Sequence, residues 1–377
     1  MLIYLGLSAV VVFVAALLLL CLGHPTRPAL AHLVFAVGIA PLIFGAITHF
    51  VPVLTRSGKA PRSLLLAPLL LQLAGTLAFF GLSGQLATGS LPLAAGGALL
   101  IALILAGWLV VRARHTLGRP HPGWRWYLAA VTSLCMALIL VPAMTWWPAM
   151  RTEMRLLHLH LNTLGFIGLA ALGTLQVLLP TVLSGPDADA AARLRRELPV
   201  AASSVLAIAI GAAFWRPLAL AGAVMLCSVA LNAAHSWLRR YSWRTLVEDG
   251  AAAGLVAALS GFLLLVMLGA AHAVGVLAGQ DAVPAFVVGF LLPLITGALS
   301  QLLPVWYHPG QRTPVRDRMR AALSAGGASR SLLFVLGGVL LALGVSAGIW
   351  LAATGMLLFV VALLRSLSVT GPDRNSL

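Results

Sequence analysis

Hydrophobic residues in this chain occur in long runs, separated by short polar segments that hold most of the arginines. A run of about 20 apolar residues can cross a bilayer as an α-helix, which satisfies its own backbone hydrogen bonds in lipid. The pattern therefore predicts an all-α polytopic membrane protein with about 12 transmembrane helices. The predicted spans are approximately 1–23, 28–53, 63–83, 90–111, 127–147, 157–183, 198–215, 217–237, 250–274, 285–307, 329–349 and 351–369.

One helix pattern within these spans occurs three times. Its copies are PLIFGAITHFVPVL (Pro41–Leu54), LAALGTLQVLLPTV (Leu169–Val182) and PLITGALSQLLPVW (Pro293–Trp306), which align Gly45 with Gly173 and Gly297, and Pro52 with Pro180 and Pro304. The intervals between the glycines are 128 and 124 residues, each long enough for four spans. We therefore predict one transmembrane domain over 1–377. It is made of three four-helix repeats in a pseudo-threefold arrangement, with units at approximately 1–126, 127–249 and 250–377.

Composition and charge support the assignment as a membrane protein and predict its orientation. The chain is 61% hydrophobic and 9% charged, with a mean hydropathy of +1.02, which excludes a soluble domain of this size because too little polar surface would be present. If the N-terminus is cytoplasmic, 20 of the 24 basic residues fall on the cytoplasmic side. This asymmetry predicts that both termini are cytoplasmic, in a bacterial inner membrane. The net charge of +15 thus reflects topology, and we expect a lipid environment and no nucleic-acid partner.

Histidines are the candidate chemical groups. His32 and His160 each lie 13 residues before a repeat glycine, and Pro284 takes that position in the third copy. In the predicted topology His32, His160, His158 and His272, together with His24, lie near the outer surface. Imidazole nitrogen is a good ligand for iron and copper. His158 and His160 point about 200° apart on a regular helix, so both can bind one metal only if the helix start is irregular. The structural alternative for each is a hydrogen-bonded interfacial residue.

Polar residues also recur about one turn before each repeat proline. The matched positions are Thr48, Gln176 and Ser300, with His49 and Gln301 one residue after the first and third. They indicate either interhelical hydrogen bonds or a polar path for protons or substrate. The sequence places Asp187 and Glu197 in a cytoplasmic loop and no acidic residue deep in a span, which argues against a proton-driven or sodium-driven carrier.

Two segments resemble a known family. HLVFAVGIAPLIFG (His32–Gly45), followed by Val51-Pro52 and by TRSG at 55–58, is similar to a histidine-led span of the NnrS family of heme- and copper-containing membrane proteins. HLHLNTLGFIGLAALGTLQVLLP (His158–Pro180) is similar to a later span of that family. The twelve-span, threefold architecture resembles subunit I of the heme-copper oxidases.

The resemblance implies a heme b or copper site with His32 and His160 as ligands. It also implies a role in nitric oxide response or respiratory metabolism, with a respiratory complex or electron donor as partner. Span ten lacks the histidine cluster of heme-copper oxidases, and the copper motif of spans six and seven is missing, so we expect no complete oxygen-reducing centre. The alternatives are a membrane transporter and a non-catalytic assembly partner of a respiratory complex.

Overall fold

Long helices form nearly all of the molecule. The computed structural model describes residues 1–23, 26–87, 89–116, 118–185 and 187–368. Within these ranges no strand occurs, and twelve helices are long and apolar enough to span a membrane, as the sequence predicted. They are α1 (Leu2–Cys21), α2 (Arg27–Leu54), α3 (Arg62–Leu82), α4 (Ser90–Arg114), α5 (Gly123–Trp146), α6 (Pro148–Val182), α7 (Ala190–Phe214), α8 (Arg216–Arg240), α9 (Gly250–Ala273), α10 (Ala282–Tyr307), α11 (Pro314–Ala342) and α12 (Gly348–Ser368).

Helices α6 and α7 begin about two turns before their predicted starts. α6 starts at Pro148 rather than near 157, because the polar segment Arg151–His160 continues as a helix ahead of the apolar part. α7 starts at Ala190 rather than near 198. Its first turns include Arg193 and Glu197, which are only 6% and 5% exposed. The prediction that Glu197 lies in a loop is therefore wrong, because paired charges allow the helix to extend through this segment.

The connection before the eleventh span also contains helical structure that the hydrophobic pattern did not predict. A short amphipathic helix, Pro314–Ser324, occupies much of the segment expected to be a basic loop. Thr313 caps its N-terminus through a hydrogen bond from the Arg316 N–H. The chain then turns at Gly326, whose φ of 65° is left-handed, and enters the apolar helix Gly327–Ala342. Glycine adopts that conformation without the steric cost that a side chain would add.

Three π-helical segments interrupt α2, α6 and α10. They are Leu33–Ile39, Leu161–Gly168 and Val287–Leu291. A π-helical turn holds more residues than an α-helical turn, and such segments are frequent at functional sites. Each segment ends five or six residues before the glycine that the sequence repeat aligns. The three copies of the sequence pattern thus share a local backbone irregularity as well as residue types.

The aligned glycines have the same packing role in each copy. Gly45 lies against Leu5 of α1, Gly173 against Trp126 of α5, and Gly297 against Gly254 of α9. In each predicted repeat, therefore, the second helix packs through its glycine on the first helix of the same repeat. Small residues permit such close approach of helices in lipid. The pseudo-threefold arrangement of whole four-helix units stays a prediction.

Contacts within the chain define two compact units. Unit 1 comprises Met1–Val177 and Asp187–Val229, and unit 2 comprises Leu178–Pro186 and Ala230–Leu377. Each has its own buried aromatic core, with Phe13, Phe44, Trp126 and Phe166 in unit 1 and Phe262, Phe290, Phe334 and Phe359 in unit 2. The predicted third repeat lies within unit 2.

We expect Gly297→Ala to lower the free energy of unfolding by about 1–3 kcal/mol, the range for overpacked cores. An added Cβ would lie 3.0 Å from the Ala251 carbonyl oxygen and 3.0 Å from backbone atoms of Gly254 and Leu255, none of which can rotate away. Gly107 is the matched control, because a Cβ there meets no atom within 4 Å. Gly107→Ala should be neutral or stabilise by up to about 1 kcal/mol. Unfolding by SDS titration in mixed micelles measures both, and equal stability of the two variants would contradict the packing role of Gly297.

Candidate metal centre

Two histidine side chains from distant parts of the sequence meet in unit 1. The imidazole of His32, near the start of α2, lies beside that of His158 in α6. Their ring centroids are 6.2 Å apart and the ring planes differ by 15°. Both side chains are half-buried. The pair is therefore nearly parallel and partly enclosed by the helices that carry it.

The backbone fixes the tautomer of both rings. His32 Nδ1 lies 2.8 Å from the Pro28 carbonyl oxygen, and His158 Nδ1 lies 2.8 Å from the Ala137 carbonyl oxygen. A carbonyl oxygen only accepts, so both Nδ1 atoms carry the hydrogen and donate. The lone pair of each neutral ring is then on Nε2, and neither Nε2 has a hydrogen-bond partner among the described residues. Histidines that bind metals usually have this arrangement, with the second nitrogen donating to a carbonyl or carboxylate.

Local packing positions each ring. His32 directly precedes the π-helical segment of α2, and its contact with Pro28 spans one helical turn. His158 instead contacts a neighbouring helix, since Ala137 belongs to α5. Ala137, Leu161 and Ala209 form a buried cluster there, with Leu157 packed against it. The α5–α6 contact thus aligns the His158 ring.

The sequence singled out His160 as the stronger partner of His32, and the ring that the structure places beside His32 is that of His158. His160 directly precedes the π-helical segment of α6, as His32 does in α2. Its Nδ1 lies 2.8 Å from the Leu156 carbonyl oxygen of its own helix. Because Arg151–His160 is a regular α-helix, His160 projects about 200° away from His158. The repeat therefore matched His160 to His32 by position along the helix but did not give the direction in which each side chain projects from the helix axis.

His272 lies in unit 2, near the end of α9. Its ring is exposed and packs on Gly279, and Nδ1 lies 2.7 Å from the Leu277 carbonyl oxygen. These contacts give it a role in closing the turn after α9. His24, which the predicted topology grouped with these residues, lies outside the described residues.

The ring centroids of His32 and His158 are 6.2 Å apart. If both Nε2 atoms were directed at one ion, with metal–nitrogen bonds of about 2.0–2.1 Å, the centroids would be roughly 6–6.5 Å apart. The two histidines are the available protein ligands here, since the described part of the chain contains no group of three or more His, Cys, Asp and Glu residues that could hold a metal ion. A Cβ on Gly165 would overlap Ser133, so Gly165 allows close contact between α6 and α5.

The third copy of the pattern has a phenyl ring directly before its π-helical segment. This residue is Phe286, whereas the residue that the sequence repeat aligns with His32 and His160 is Pro284. In unit 2, the Phe290 ring lies 5.0 Å from the rings of both Phe262 and Phe286. Aromatic packing therefore surrounds the start of this π-helical segment.

The polar residues before the repeat prolines have separate partners. Thr48 donates to the Gly45 carbonyl of its own helix, and Ser300 donates to the carbonyls of Thr296 and Leu323. Gln301 Oε1 is buried without a hydrogen-bond partner in the described structure, and His49 is exposed. Hydrogen bonds and a polar path were the two roles that the sequence left open for these residues. The contacts of Thr48 and Ser300 are hydrogen bonds to backbone carbonyls.

Gln176 belongs to a buried polar network that the sequence did not predict. Arg193 Nε donates to Gln176 Oε1 at 2.7 Å, and Arg193 Nη2 donates to Asp187 at 2.8 Å. Gln176 Nε2 in turn donates to Glu197 Oε2 at 3.0 Å. Since arginine can only donate, it fixes the orientation of the Gln176 amide. The four-residue spacing of Arg193 and Glu197, which places both on one helix face, was the signal available in the sequence.

A loop histidine, His121, forms a hydrogen bond at the start of a helix. His121 Nδ1 accepts a hydrogen bond of 3.2 Å from the Gly123 N–H at the start of α5. Burial, and to a lesser degree the nearby Arg195, lower the pKa of His121 below its usual value. The neutral ring that the lowered pKa favours is the form that can accept this hydrogen bond.

These observations define a polytopic α-helical membrane protein with an enclosed histidine pair in unit 1. No protein-family model matches the chain, and no curated protein matches it at a significant level. The resemblance to the NnrS family and to heme-copper oxidases therefore stays a prediction from the sequence.

Proposed function

We propose that this protein is a bacterial inner-membrane metalloprotein that binds heme b, or copper, through His32 and His158. Its role lies in nitric oxide response or respiratory electron transfer, without a complete oxygen-reducing centre. The observation that supports the proposal most directly is the parallel pair of imidazoles, each with Nδ1 held by a carbonyl and Nε2 available. A histidine pair that served only to pack the helices would not require both Nε2 atoms to be without a hydrogen-bond partner.

Two imidazoles favour heme over copper. A porphyrin supplies four nitrogen ligands, so two histidines complete the set for its iron, whereas a copper ion would need further ligands. Heme iron with two histidine ligands supplies one-electron transfer. The chain itself contributes the Pro28 and Ala137 carbonyls, which raise the basicity of the rings and fix their orientation. The surrounding apolar helices lower the local dielectric constant.

The visible spectrum of protein purified in detergent tests the proposal. We expect a Soret band and about one iron per chain. Absence of the band, together with absence of iron and copper by elemental analysis, would refute it. Co-purification of a metal-free protein with an oxidase or reductase would support the assembly-partner alternative instead.

A carrier is the second candidate, and the buried Glu197 favours it. An ionisable group within a membrane helix usually marks a path for ions or substrate. Its burial in the first turns of α7, with a hydrogen bond from Gln176, weakens the argument that the sequence gave against a carrier. The histidine pair, however, has no evident use in that function, so we place it second.

A further inference from the structure

An open pocket in unit 2 lies where α9 and the apolar part of α11 begin. Its volume is about 670 Å³. Residues that line it include Asp249, Gly250, Arg312, Arg320, Ser324 and Gly327. In the predicted topology both helices begin on the cytoplasmic side, so the pocket would be open to the cytoplasm or to lipid headgroups of the inner leaflet.

Close glycine packing brings two helix N-termini to this pocket. A Cβ on Gly250 would overlap the Ser324 carbonyl, and one on Gly327 would overlap the backbone of Gly250. The first residues of α9 and of helix Gly327–Ala342 are therefore in backbone contact. Each helix N-terminus has a partial positive charge and free N–H groups.

The carboxylates that line the pocket already have donors. Asp249 Oδ1 accepts from the Ala251 and Ala252 N–H groups, and its Oδ2 accepts from Arg320. Both oxygens of Asp317 accept from Arg312 Nε. Glu248 pairs with Arg244 at 3.4 Å. A metal cation would have to displace these donors, so the acidic residues do not favour a cation site.

Several donors at the pocket lack acceptors. Arg320 Nε and Ser324 Oγ are enclosed, and neither has a hydrogen-bond partner in the described residues. Helix Gly327–Ala342 begins without a side-chain cap, as far as the structure describes its surroundings. The guanidinium of Arg312 uses only its Nε in the contact with Asp317. The enclosed pocket groups without a partner among the described residues are thus Arg320 Nε, which can only donate, and the Ser324 hydroxyl, which can donate. Enclosed donors of this kind suit an anion with several oxygens.

A buried arginine fixes the backbone between the two helical parts of α11. Arg330 is 2% exposed, and its guanidinium donates to the carbonyls of Leu323 and Ala325. It also lies over the Phe359 ring, 5.4 Å from the centroid. The wall of the pocket is therefore held in place from inside the protein before any ligand binds, which reduces the entropic cost of binding.

We propose that this pocket binds an anion of the phosphate class through Arg312, Arg320, Ser324 and the N-terminus of helix Gly327–Ala342. The ligand is a phosphate group, either of a soluble phosphate compound or of an anionic lipid. This site is separate from the histidine pair, and neither depends on the other.

Binding to the full-length protein in nanodiscs tests the proposal in two arms. In phosphatidylcholine nanodiscs, calorimetry measures the affinity for inorganic pyrophosphate. In nanodiscs that contain phosphatidylglycerol, native mass spectrometry measures how much of that lipid the protein retains. Arg312→Gln is the test variant, because Arg312 is 69% exposed and its loss should not affect folding. Arg318→Gln is the matched control, since Arg318 has the same charge, is exposed on helix Pro314–Ser324 just after Arg312, and lies outside the pocket.

Binding should occur with pyrophosphate if the natural ligand is a soluble phosphate compound, and with phosphatidylglycerol if it is a lipid. In the arm where binding occurs, we expect Arg312→Gln to weaken it about tenfold, as loss of a charged hydrogen bond does. Arg318→Gln should change binding by less than about twofold, because a screened surface charge contributes little. Ser324→Ala should weaken binding without a change of charge. Binding in neither arm, binding of Mg²⁺ or Mn²⁺ alone, or equal losses in the two arginine variants would overturn the proposal.

Discussion

His158→Ala should abolish the Soret band and remove iron from the purified protein, whereas His160→Ala should retain both. The structure pairs the ring of His32 with that of His158, and His160 points to another side of the helix. If both rings hold the heme, loss of the His158 ring would leave it a single histidine ligand, and we expect the heme to dissociate during purification. Absorption spectra and iron content per chain measure the difference.

His160→Ala is the matched control for this prediction. It removes the same side chain two residues away, and His160 makes the same kind of Nδ1 contact with a backbone carbonyl. His32→Ala should reproduce the effect of His158→Ala. If His160→Ala lost the heme and His158→Ala kept it, the pairing predicted from the sequence repeat would be correct and the one in the structure would be wrong.

Arg193→Ala should lower the free energy of unfolding by about 3–5 kcal/mol, the cost of leaving a buried charge without its partner. Arg193 is 6% exposed and supplies hydrogen bonds to both Gln176 and Asp187. Its removal deprives a buried amide and a buried carboxylate of these donors at once. SDS titration in mixed micelles measures the change.

Arg196→Ala serves as the control, because Arg196 is exposed on the same helix. Its effect should stay within about 0.5 kcal/mol, as for most surface substitutions. Equal losses in the two variants would show that overall charge at the start of α7, rather than the buried network, determines stability.

Hydrophobic runs predicted the number of helices and most of their ends, because each span must be apolar over a fixed length. α9 was expected over 250–274 and extends from Gly250 to Ala273. The ends of α6 and α7 were missed where polar residues continue the helix, since Glu197 is buried by specific pairing that composition does not show. The π-helical segments were missed because a change of helical period leaves no trace in a uniformly apolar sequence.

The sequence identified the histidines of the candidate site but not their pairing. His32, which the repeat singled out, is one of the two rings that lie side by side in the structure. The choice between His158 and His160 depends on the rotation of α6, which the contact of His158 with Ala137 in α5 determines. This contact joins residues 21 positions apart in the sequence, on two different helices. It depends on how α5 and α6 pack, which the residue pattern of α6 alone does not predict.

In α2 and α6 the π-helical segment separates the part of the helix that carries a histidine from the part that packs closely on a neighbouring helix. In α2 and α6 the imidazoles lie ahead of the segment, and the glycine that sets the distance to the neighbouring helix lies after it. An inserted residue turns one half of a helix by about 100° relative to the other. A single insertion or deletion could therefore have rotated the histidine-bearing half of each span during evolution, while the packed half kept its register against its neighbour.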